Sequence, residues 1–254
     1  MLKERIITAI IMLLVFAGMV FFAPNRVWFA GVGILMAWAA AEWANLAKLS
    51  QIPKALYVML MPVLLALLWI SFANHYHPWV FSMAMFVSVA FWLLIVPLWL
   101  YFGWKVSNRW LLMLCGALVL LPAGLCFLYI RQSPQEGWFL LGLLAVVWIA
   151  DIAAYFTGRA LGKHKLAPSI SPGKTIEGAA GAWIGVTIYL AVIALWLKPD
   201  GFADLRISVS VVLIMAFFLT YQSIIGDLFE SWLKRCAGVK DSGSSLPGHG
   251  GILD

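Results

Sequence analysis

The last apolar run of the chain leads into residue types that can handle phosphate groups. Asp227 closes that run, and Ser231, Lys234 and Arg235 follow it at helical spacings. If the run continues as a helix, an acid, a hydroxyl and two cations share one stripe. Magnesium binds one or two carboxylates together with phosphate oxygens, and cations neutralise the charge on a transferring phosphoryl group. The stripe is therefore suited to nucleotidyl transfer.

A glycine-rich strip follows this stripe and ends in a second carboxylate. We expect Gly238 to break the helix, and the strip beyond it contains Lys240, Asp241, His249 and Asp254. Glycines on both sides of His249 allow the backbone to approach a ligand closely. The strip is predicted to be flexible and to contribute to a site; the alternative is an ordinary solvated loop.

A second polar segment lies between two earlier apolar runs. Lysine supplies charge to a phosphate and arginine can bind two of its oxygens; the segment contains Arg159, Lys163, Lys165, Ser171, Lys174 and Thr175. Alternatively, these cations serve membrane topology alone. The turn from Ser171 to Glu177 favours a ligand, since it brings a Lys-Thr pair to the start of the next apolar run. It is not a P-loop, because Pro168 stands where that pattern needs glycine.

Asp151 lies within the apolar run before this segment. It is about five residues from the predicted end of its span, roughly 7 Å below the interface by helical rise. An unpaired carboxylate at that depth costs up to a few kcal/mol. One interpretation is an ion pair, either with Arg159 on the same helix face if the helix continues or with a cation from another span. We favour the other, in which Asp151 lines a polar cavity near a metal or a substrate.

The composition identifies the class of protein that must position these residues. The 254 residues are 64% hydrophobic and 11% charged, with a mean hydropathy of +0.96. Soluble domains average roughly 45–50% apolar and about 25% charged, so a water-soluble monomer is excluded. The net charge of +6 fits membrane topology and anionic lipid headgroups, and no nucleic-acid partner is expected.

Eight apolar segments are each long enough to cross a bilayer, which takes about 20 residues. They lie at about 6–22, 27–46, 55–73, 79–102, 110–130, 138–156, 178–197 and 207–226. The sequence thus predicts an all-α, polytopic integral membrane protein that forms a single membrane domain over 1–254. We expect residues 1–137 to form the N-terminal helices of the bundle. Residues 138–254 are the predicted catalytic half, with cytoplasmic loops at 157–177 and 227–254.

The basic residues predict the orientation of these spans. With a cytoplasmic N-terminus and eight crossings, 13 of the 17 Lys and Arg residues fall inside and 4 fall outside. Both polar segments then face the cytoplasm. A small-solute transporter would instead place its charges near the bilayer midplane.

The C-terminal stripe and strip resemble the signature of the phosphatidate cytidylyltransferase family, also called CDP-diacylglycerol synthases. The matching run is Ser231-Trp-Leu-Lys234-Arg235-x4-Lys240-Asp241-Ser-Gly-x3-Pro247-Gly-His249-Gly-Gly251-Ile-Leu-Asp254. Three other runs are similar to the family: Gly-Lys163-His-Lys165-Leu-Ala-Pro168, Ser171-Pro-x-Lys174-Thr-x-Glu177-Gly178 and the opening Leu-Lys-x-Arg-Ile-Ile-Thr-Ala. Together the motifs cover roughly residues 148–254, with a general membrane resemblance across most of the first half.

The resemblance implies transfer of CMP from CTP to phosphatidate at a bacterial-type inner membrane, with Mg²⁺ required. It implies that Asp227 and Asp254 are metal ligands, that Lys234, Arg235 and Lys240 contact phosphates, and that Asp241 and His249 belong to the catalytic motif without an assigned role. The candidates for substrate binding are Ser231, Lys163, Lys165, Ser171, Lys174, Thr175, Glu177 and Asp151. Similar family members are homodimers and have been described with a second, monovalent cation such as K⁺.

Two departures from the family pattern accompany this resemblance. The pattern continues past the second aspartate with Arg, a variable residue and Asp, and then a ninth span; because this sequence stops at Asp254, we expect a chain truncated at its C-terminus and of uncertain activity. The family prefers small or hydroxyl residues after the first Asp, where this chain has Asp151-Ile-Ala-Ala-Tyr155. Asp151 is therefore expected to support the site. A CTP-dependent polyprenol or lipid kinase, which transfers the γ-phosphate, is the alternative function.

Overall fold

Helices make up most of the described structure. The computed structural model describes residues 2–133, 136–194, 209–246, 248 and 250–254. Its helices are α1 (Leu2–Phe22), α2 (Asn25–Leu46), α3 (Gln51–Ala73), α4 (Pro78–Ala90), a π-helical turn (Phe91–Ile95), α5 (Val96–Phe102), α6 (Arg109–Ile130), α7 (Gly137–Leu161), α8 (Ile176–Val192) and α9 (Val209–Ala237). A hairpin of β1 (Lys165–Ala167) and β2 (Ser171–Thr175) joins α7 to α8. The all-α prediction is confirmed, with this hairpin as a small addition.

Six of the helical segments are long and apolar enough to cross a membrane. They are Asn25–Leu46, Gln51–Ala73, Trp79–Phe102, Arg109–Ile130, Gly137–Leu161 and Val209–Ala237. Ile7–Phe22 and Ile176–Val192 are shorter apolar helices. The chain is therefore an integral membrane protein with several spans, as predicted, and the count of eight stays a prediction. Residues 195–197 of the seventh predicted span and 207–208 of the eighth lie outside the described residues.

The contacts of the chain group it into two compact units, Met1–Leu140 with Trp232–Asp254, and Leu141–Ser231. In the first unit α2 packs against α3 and α6. Trp43 donates its indole N–H to the carbonyl of Leu112 at 2.8 Å, and Tyr57 donates its hydroxyl to the carbonyl of Met113 at 3.1 Å. Both rings approach Gly116, where a Cβ would collide with them. A glycine in α6 thus allows three helices to pack closely.

Arg131 fastens the end of α1 within the same unit. Only 1% of this residue is exposed, and its guanidinium donates to the carbonyls of Met19, Val20 and Ala23. The last carbonyls of a helix have no partner in the helix itself, and a cation there also interacts favourably with the helix dipole. Arg131 therefore satisfies the C-terminal end of α1.

A seam of small residues brings α8 against α7 in the second unit. A Cβ on Gly178 would come within 2.9 Å of the Ala154 carbonyl, and one on Gly185 within 2.8 Å of the Ala153 Cβ. Small residues three or four positions apart allow membrane helices to pack at short range. Ala150, Ala182, Val186 and Ala216 are buried in the adjacent core. The seam fixes the start of α8 beside the end of α7.

The connection between these two helices differs from the predicted loop 157–177. Helix α7 continues to Leu161, five residues beyond the predicted end of its span at 156, so Asp151 lies deeper in its helix than expected. The remainder forms the antiparallel hairpin, in which Lys165 pairs with Thr175 and Ala167 with Ser171. Thr175 then caps α8 by accepting a hydrogen bond from the Gly178 amide at 3.1 Å.

Candidate functional site

A cavity of about 530 Å³ in the second unit collects polar side chains from three helices and the hairpin. Six of the residues singled out in the sequence line it: Asp151, Arg159, Ser171, Lys174, Thr175 and Asp227. Sequence reasoning missed Ser223, one turn before Asp227 in α9, which also lines the cavity. The remainder of the wall is largely apolar. Such a cavity suits a ligand with a charged part and an apolar part.

Lys174 and Asp227 form an ion pair in this cavity. The Lys174 ammonium contacts Oδ2 of Asp227. The hairpin brings Lys174 to this position, because β2 ends one residue later at the cap of α8. Ser231 lies one turn further along α9 and donates its hydroxyl to Oδ1 of Asp227 at 3.3 Å. About half of the Asp227 side chain, 49%, remains exposed, so this carboxylate can still meet a ligand.

Asp151 lines the same cavity. The described residues include no ion pair between Asp151 and Arg159. Arg159 instead donates to the Tyr155 hydroxyl at 3.1 Å, and both of these residues also line the cavity. A role for Asp151 beside a metal or a substrate stays a prediction.

Glu177 holds the base of the hairpin. It accepts hydrogen bonds from the amides of Lys163 and His164 at 3.1–3.3 Å, and its Oε1 lies 2.6 Å from Nδ1 of His164. The hydrogen bond with the His164 ring, followed by those from backbone amides, lowers the pKa of Glu177 to about 2. Glu177 therefore shapes the segment that carries Lys174. Lys163 and Lys165 are exposed and do not line the cavity.

Asp254 belongs to the first unit and lies in a dense hydrogen-bond network. Its Oδ1 accepts from the Lys234 ammonium at 2.6 Å. Its Oδ2 accepts from the amides of Ser242 and Gly251 at 2.8 and 2.7 Å, and from the Ser242 hydroxyl at 3.0 Å. Burial alone would raise the pKa of Asp254, but these donors outweigh it and hold the pKa well below its usual range.

The other residues of the predicted signature have varied surroundings. Helix α9 continues through Lys234 and Arg235 and ends at Ala237, before Gly238, as predicted. Arg235, Lys240 and Asp241 are exposed. Gly250 has a φ of +107°, and a Cβ there would collide with the Asp254 carboxylate. His249 lies outside the described residues.

Part of the glycine-rich strip is hydrogen-bonded to α2, and its predicted flexibility stays a prediction. Glu42 of α2, which is 2% exposed, accepts hydrogen bonds from it. The donors are the hydroxyls of Ser242 and Ser245 and the amides of Ile252 and Leu253, at 2.8–3.1 Å. Sequence reasoning missed Glu42. The available signal was an acid inside an apolar run, the same signal that drew attention to Asp151.

The donor set of the cavity fits a magnesium ion. Mg²⁺ binds through one or two protein carboxylates and completes its shell with waters and substrate phosphates. Asp151 and Asp227 offer such carboxylates in one cavity. The described part of the chain contains no group of three or more His, Cys, Asp or Glu side chains arranged for a metal. The predicted pairing of Asp227 with Asp254 joins residues of different units and stays a prediction.

Comparison with known proteins identifies the family. The model of the cytidylyltransferase family matches residues 3–254. The chain belongs to the cytidylyltransferase family. It is 34% identical over 259 residues to a phosphatidate cytidylyltransferase of Pseudomonas aeruginosa, an alignment that covers 100% of this chain and 91% of the relative.

Other relatives carry the same name. A phosphatidate cytidylyltransferase of Haemophilus influenzae is 32% identical over 277 residues, covering 100% of this family member and 93% of the relative. One from Brucella melitensis is 54% identical over 113 residues, which cover 44% of this chain and 39% of the relative. The resemblance first noted in the C-terminal motifs thus extends over the whole chain.

Proposed function

We propose that this chain is a phosphatidate cytidylyltransferase, which transfers CMP from CTP to phosphatidate and forms CDP-diacylglycerol and pyrophosphate. The observation that carries the proposal is the cavity of the second unit, in which Lys174 pairs with Asp227 beside Asp151 in a chain of this family. Cations and carboxylates in one partly apolar cavity are what a reaction between a nucleotide and a lipid phosphate requires.

The chemistry needs little from a general base. The phosphate of phosphatidate is already an anion at neutral pH, so one of its oxygens can attack the α-phosphorus of CTP directly. The new P–O bond forms as the bond between the α-phosphorus and the bridging oxygen breaks, and pyrophosphate leaves with the electron pair. Positioning the two substrates and neutralising charge therefore account for most of the catalysis.

The residues of the cavity can share these tasks. When substrate enters, the Lys174 ammonium can leave Asp227 and bind a phosphate oxygen instead. This is possible because an ammonium is a compact charge on a flexible side chain. Ser171, Thr175 and Ser223 supply hydroxyls to the same space. Arg159 can bind two phosphate oxygens at once. Lys234, Arg235 and Lys240 remain the predicted phosphate contacts of the signature.

Magnesium dependence is part of the proposal. Asp227, together with Asp151 or with the predicted partner Asp254, would hold the ion. When bound, Mg²⁺ would offset the negative charge of the CTP phosphates. A second cation such as K⁺ stays a prediction of the family resemblance.

The proposed enzyme lies in a bacterial-type inner membrane, with both polar segments and the N-terminus in the cytoplasm. Glu42, four residues before the end of α2, accepts hydrogen bonds from Ser242 and Leu253. This supports the predicted topology, in which the end of the second span and the segment after the last one share a side of the membrane. CTP would enter from the cytoplasm and phosphatidate from the inner leaflet. The homodimer that the resemblance implies stays a prediction, which cross-linking in native membranes would check.

Position-specific labelling of CTP tests the reaction. The purified chain is incubated in mixed micelles with phosphatidate, Mg²⁺ and CTP that carries ³²P at either the α or the γ position. We expect label from the α position in chloroform-extractable lipid, and label from the γ position only in pyrophosphate. Lipid that is labelled only from γ-labelled CTP would overturn the proposal and favour a lipid kinase.

A further inference from the structure

We infer that Glu42 is a positioning residue that fixes the donors it binds in the glycine-rich strip, which are Ser242, Ser245, Ile252 and Leu253. The inference rests on the proposed function, because it assigns to Glu42 the placement of residues predicted to serve that reaction. Glu42 itself lies in α2, about 200 residues before the segment that it binds. None of the sequence motifs includes it.

The hydrogen bonds to Glu42 are complete. Oε1 accepts from the Ser245 hydroxyl at 3.1 Å and the Ile252 amide at 2.9 Å. Oε2 accepts from the Ser242 hydroxyl at 2.8 Å and the Leu253 amide at 3.1 Å. Two donors to each oxygen reach the full acceptor capacity of a carboxylate. A buried carboxylate with such partners binds its donors strongly, since losing one donor leaves a buried charge short of a hydrogen bond.

The backbone of the strip is shaped to fit this carboxylate. A Cβ on Gly243 would lie 2.7 Å from Oε1 of Glu42, and a Cβ on Gly251 would collide with Oε2. Both positions therefore need glycine for the backbone to come close enough. The close approach at these two glycines and the hydrogen bonds describe one tight contact between the strip and Glu42.

Ser242 connects Glu42 to Asp254 through hydrogen bonds. Its hydroxyl lies 2.8 Å from Glu42 and 3.0 Å from Asp254, so one proton is shared between two carboxylates. The Ser242 amide also donates to Asp254, and Asp254 in turn binds Lys234 at 2.6 Å. Losing Glu42 would therefore disturb both the predicted metal ligand Asp254 and the predicted phosphate contact Lys234.

The test compares Glu42→Gln with the matched variant Glu136→Gln. Glu136 also accepts backbone hydrogen bonds, from Gln132 and Ser133 at 2.6 and 3.0 Å, but these donors are its sequence neighbours and do not belong to the strip. Hydrogen–deuterium exchange is measured on peptides that contain Ile252 and Leu253, and steady-state kinetics are measured with both substrates.

We expect exchange at Ile252 and Leu253 to be at least tenfold faster in Glu42→Gln and unchanged in Glu136→Gln. The KM for CTP should rise at least fivefold, together with a fall in kcat. This KM change separates positioning from a general loss of folded protein, because a smaller folded fraction lowers kcat and leaves KM as it was.

Two results would overturn the inference: exchange in Glu42→Gln that equals the parent, or faster exchange with unchanged kinetic constants. If Glu42→Gln does not give a monodisperse protein, Ser245→Ala replaces it. That variant removes one donor from an exposed position and should change exchange and KM in the same direction by a smaller factor. A parent that transfers no label overturns the proposed function, while the exchange measurement still decides whether Glu42 anchors the strip.

Discussion

Two aspartates with the same predicted task have very different surroundings. Asp227 in the second unit meets one lysine and one serine, and its side chain is 49% exposed beside a cavity. Asp254 in the first unit accepts four hydrogen bonds, and its side chain is 10% exposed. A carboxylate with unused acceptor capacity can bind an incoming ligand, whereas a saturated one must give up partners first.

We therefore expect the two regions to have different roles. The cavity leaves polar side chains available to a ligand, and the hairpin and the seam between α7 and α8 position these side chains. In the glycine-rich strip, polar groups hydrogen-bond to one another, and the buried Glu42 accepts further hydrogen bonds from them. Substitutions in the cavity should therefore change chemistry with little effect on stability, and substitutions in the strip should change both.

Asp227→Asn gives the largest expected effect. It keeps the shape of the side chain and removes the charge that faces the cavity. We expect kcat to fall on the order of 10³-fold, with thermal stability in detergent close to that of the parent. Turnover is measured as transfer of α-label from CTP to lipid.

Membrane insertion of Asp227→Asn is checked by membrane fractionation. A variant that inserts normally and retains parent turnover would remove Asp227 from the metal site and end the contrast with Asp254.

Lys174→Met should come next, with kcat/KM lower by about 10²-fold. Among the described residues that line the cavity of the second unit, it removes the only lysine. Lys165→Met serves as the comparison, since Lys165 lies on the same hairpin but is exposed and off the cavity. The kinetic constants of both variants are measured with CTP and phosphatidate. Equal losses would mean that general positive charge matters and the cavity does not.

Asp254→Asn should lower stability as well as turnover. The amide that replaces the carboxylate cannot accept from Lys234 and from three other donors at once, and hydrogen bonds to charged groups contribute about 1.5–3 kcal/mol. Heating followed by size-exclusion chromatography should give a lower midpoint than for Asp227→Asn. If the two variants are equally stable, the strip is not held by its hydrogen bonds.

Gly185→Ala tests the seam that supports the cavity, and has the smallest expected effect. Its Cβ would meet the Ala153 Cβ at 2.8 Å, so α7 and α8 must separate slightly, at a cost of about 1–2 kcal/mol. We expect a small drop in the thermal midpoint and unchanged hydrogen exchange at Ile252 and Leu253. Faster exchange there would show that the seam also supports the strip.

Hydropathy was enough to locate the helices, because a bilayer requires long apolar runs whatever their partners are. The predicted spans 55–73 and 110–130 fall within α3 and α6, and helical spacing carried α9 correctly past Asp227. The extension of α7 and the hairpin were missed. Gly158 and Gly162, which read as loop residues, accommodate close packing around the Thr175 side chain.

The candidate site was less accessible to sequence reasoning because its partners are remote in the chain. Asp151, Lys174 and Asp227 line one cavity. The local density of charged and hydroxyl side chains indicated the segments that contain or follow them, but not their partners. Glu42 is joined to donors at 242–253, and no periodicity or short motif connects positions so far apart. The hydrogen bonds between Glu42 and the strip exist only in the folded chain, where the strip lies beside α2.

The 200-residue separation of Glu42 from Ser242 has a consequence for biosynthesis. At about 5–20 residues per second, the ribosome makes the donors of Glu42 roughly 10–40 s after Glu42 itself. Throughout that interval α2 carries an acid in its apolar run without the four donors that later satisfy it. The hydrogen bonds that satisfy Glu42 can therefore form only after Ile252 and Leu253 have been made, well after α2 itself.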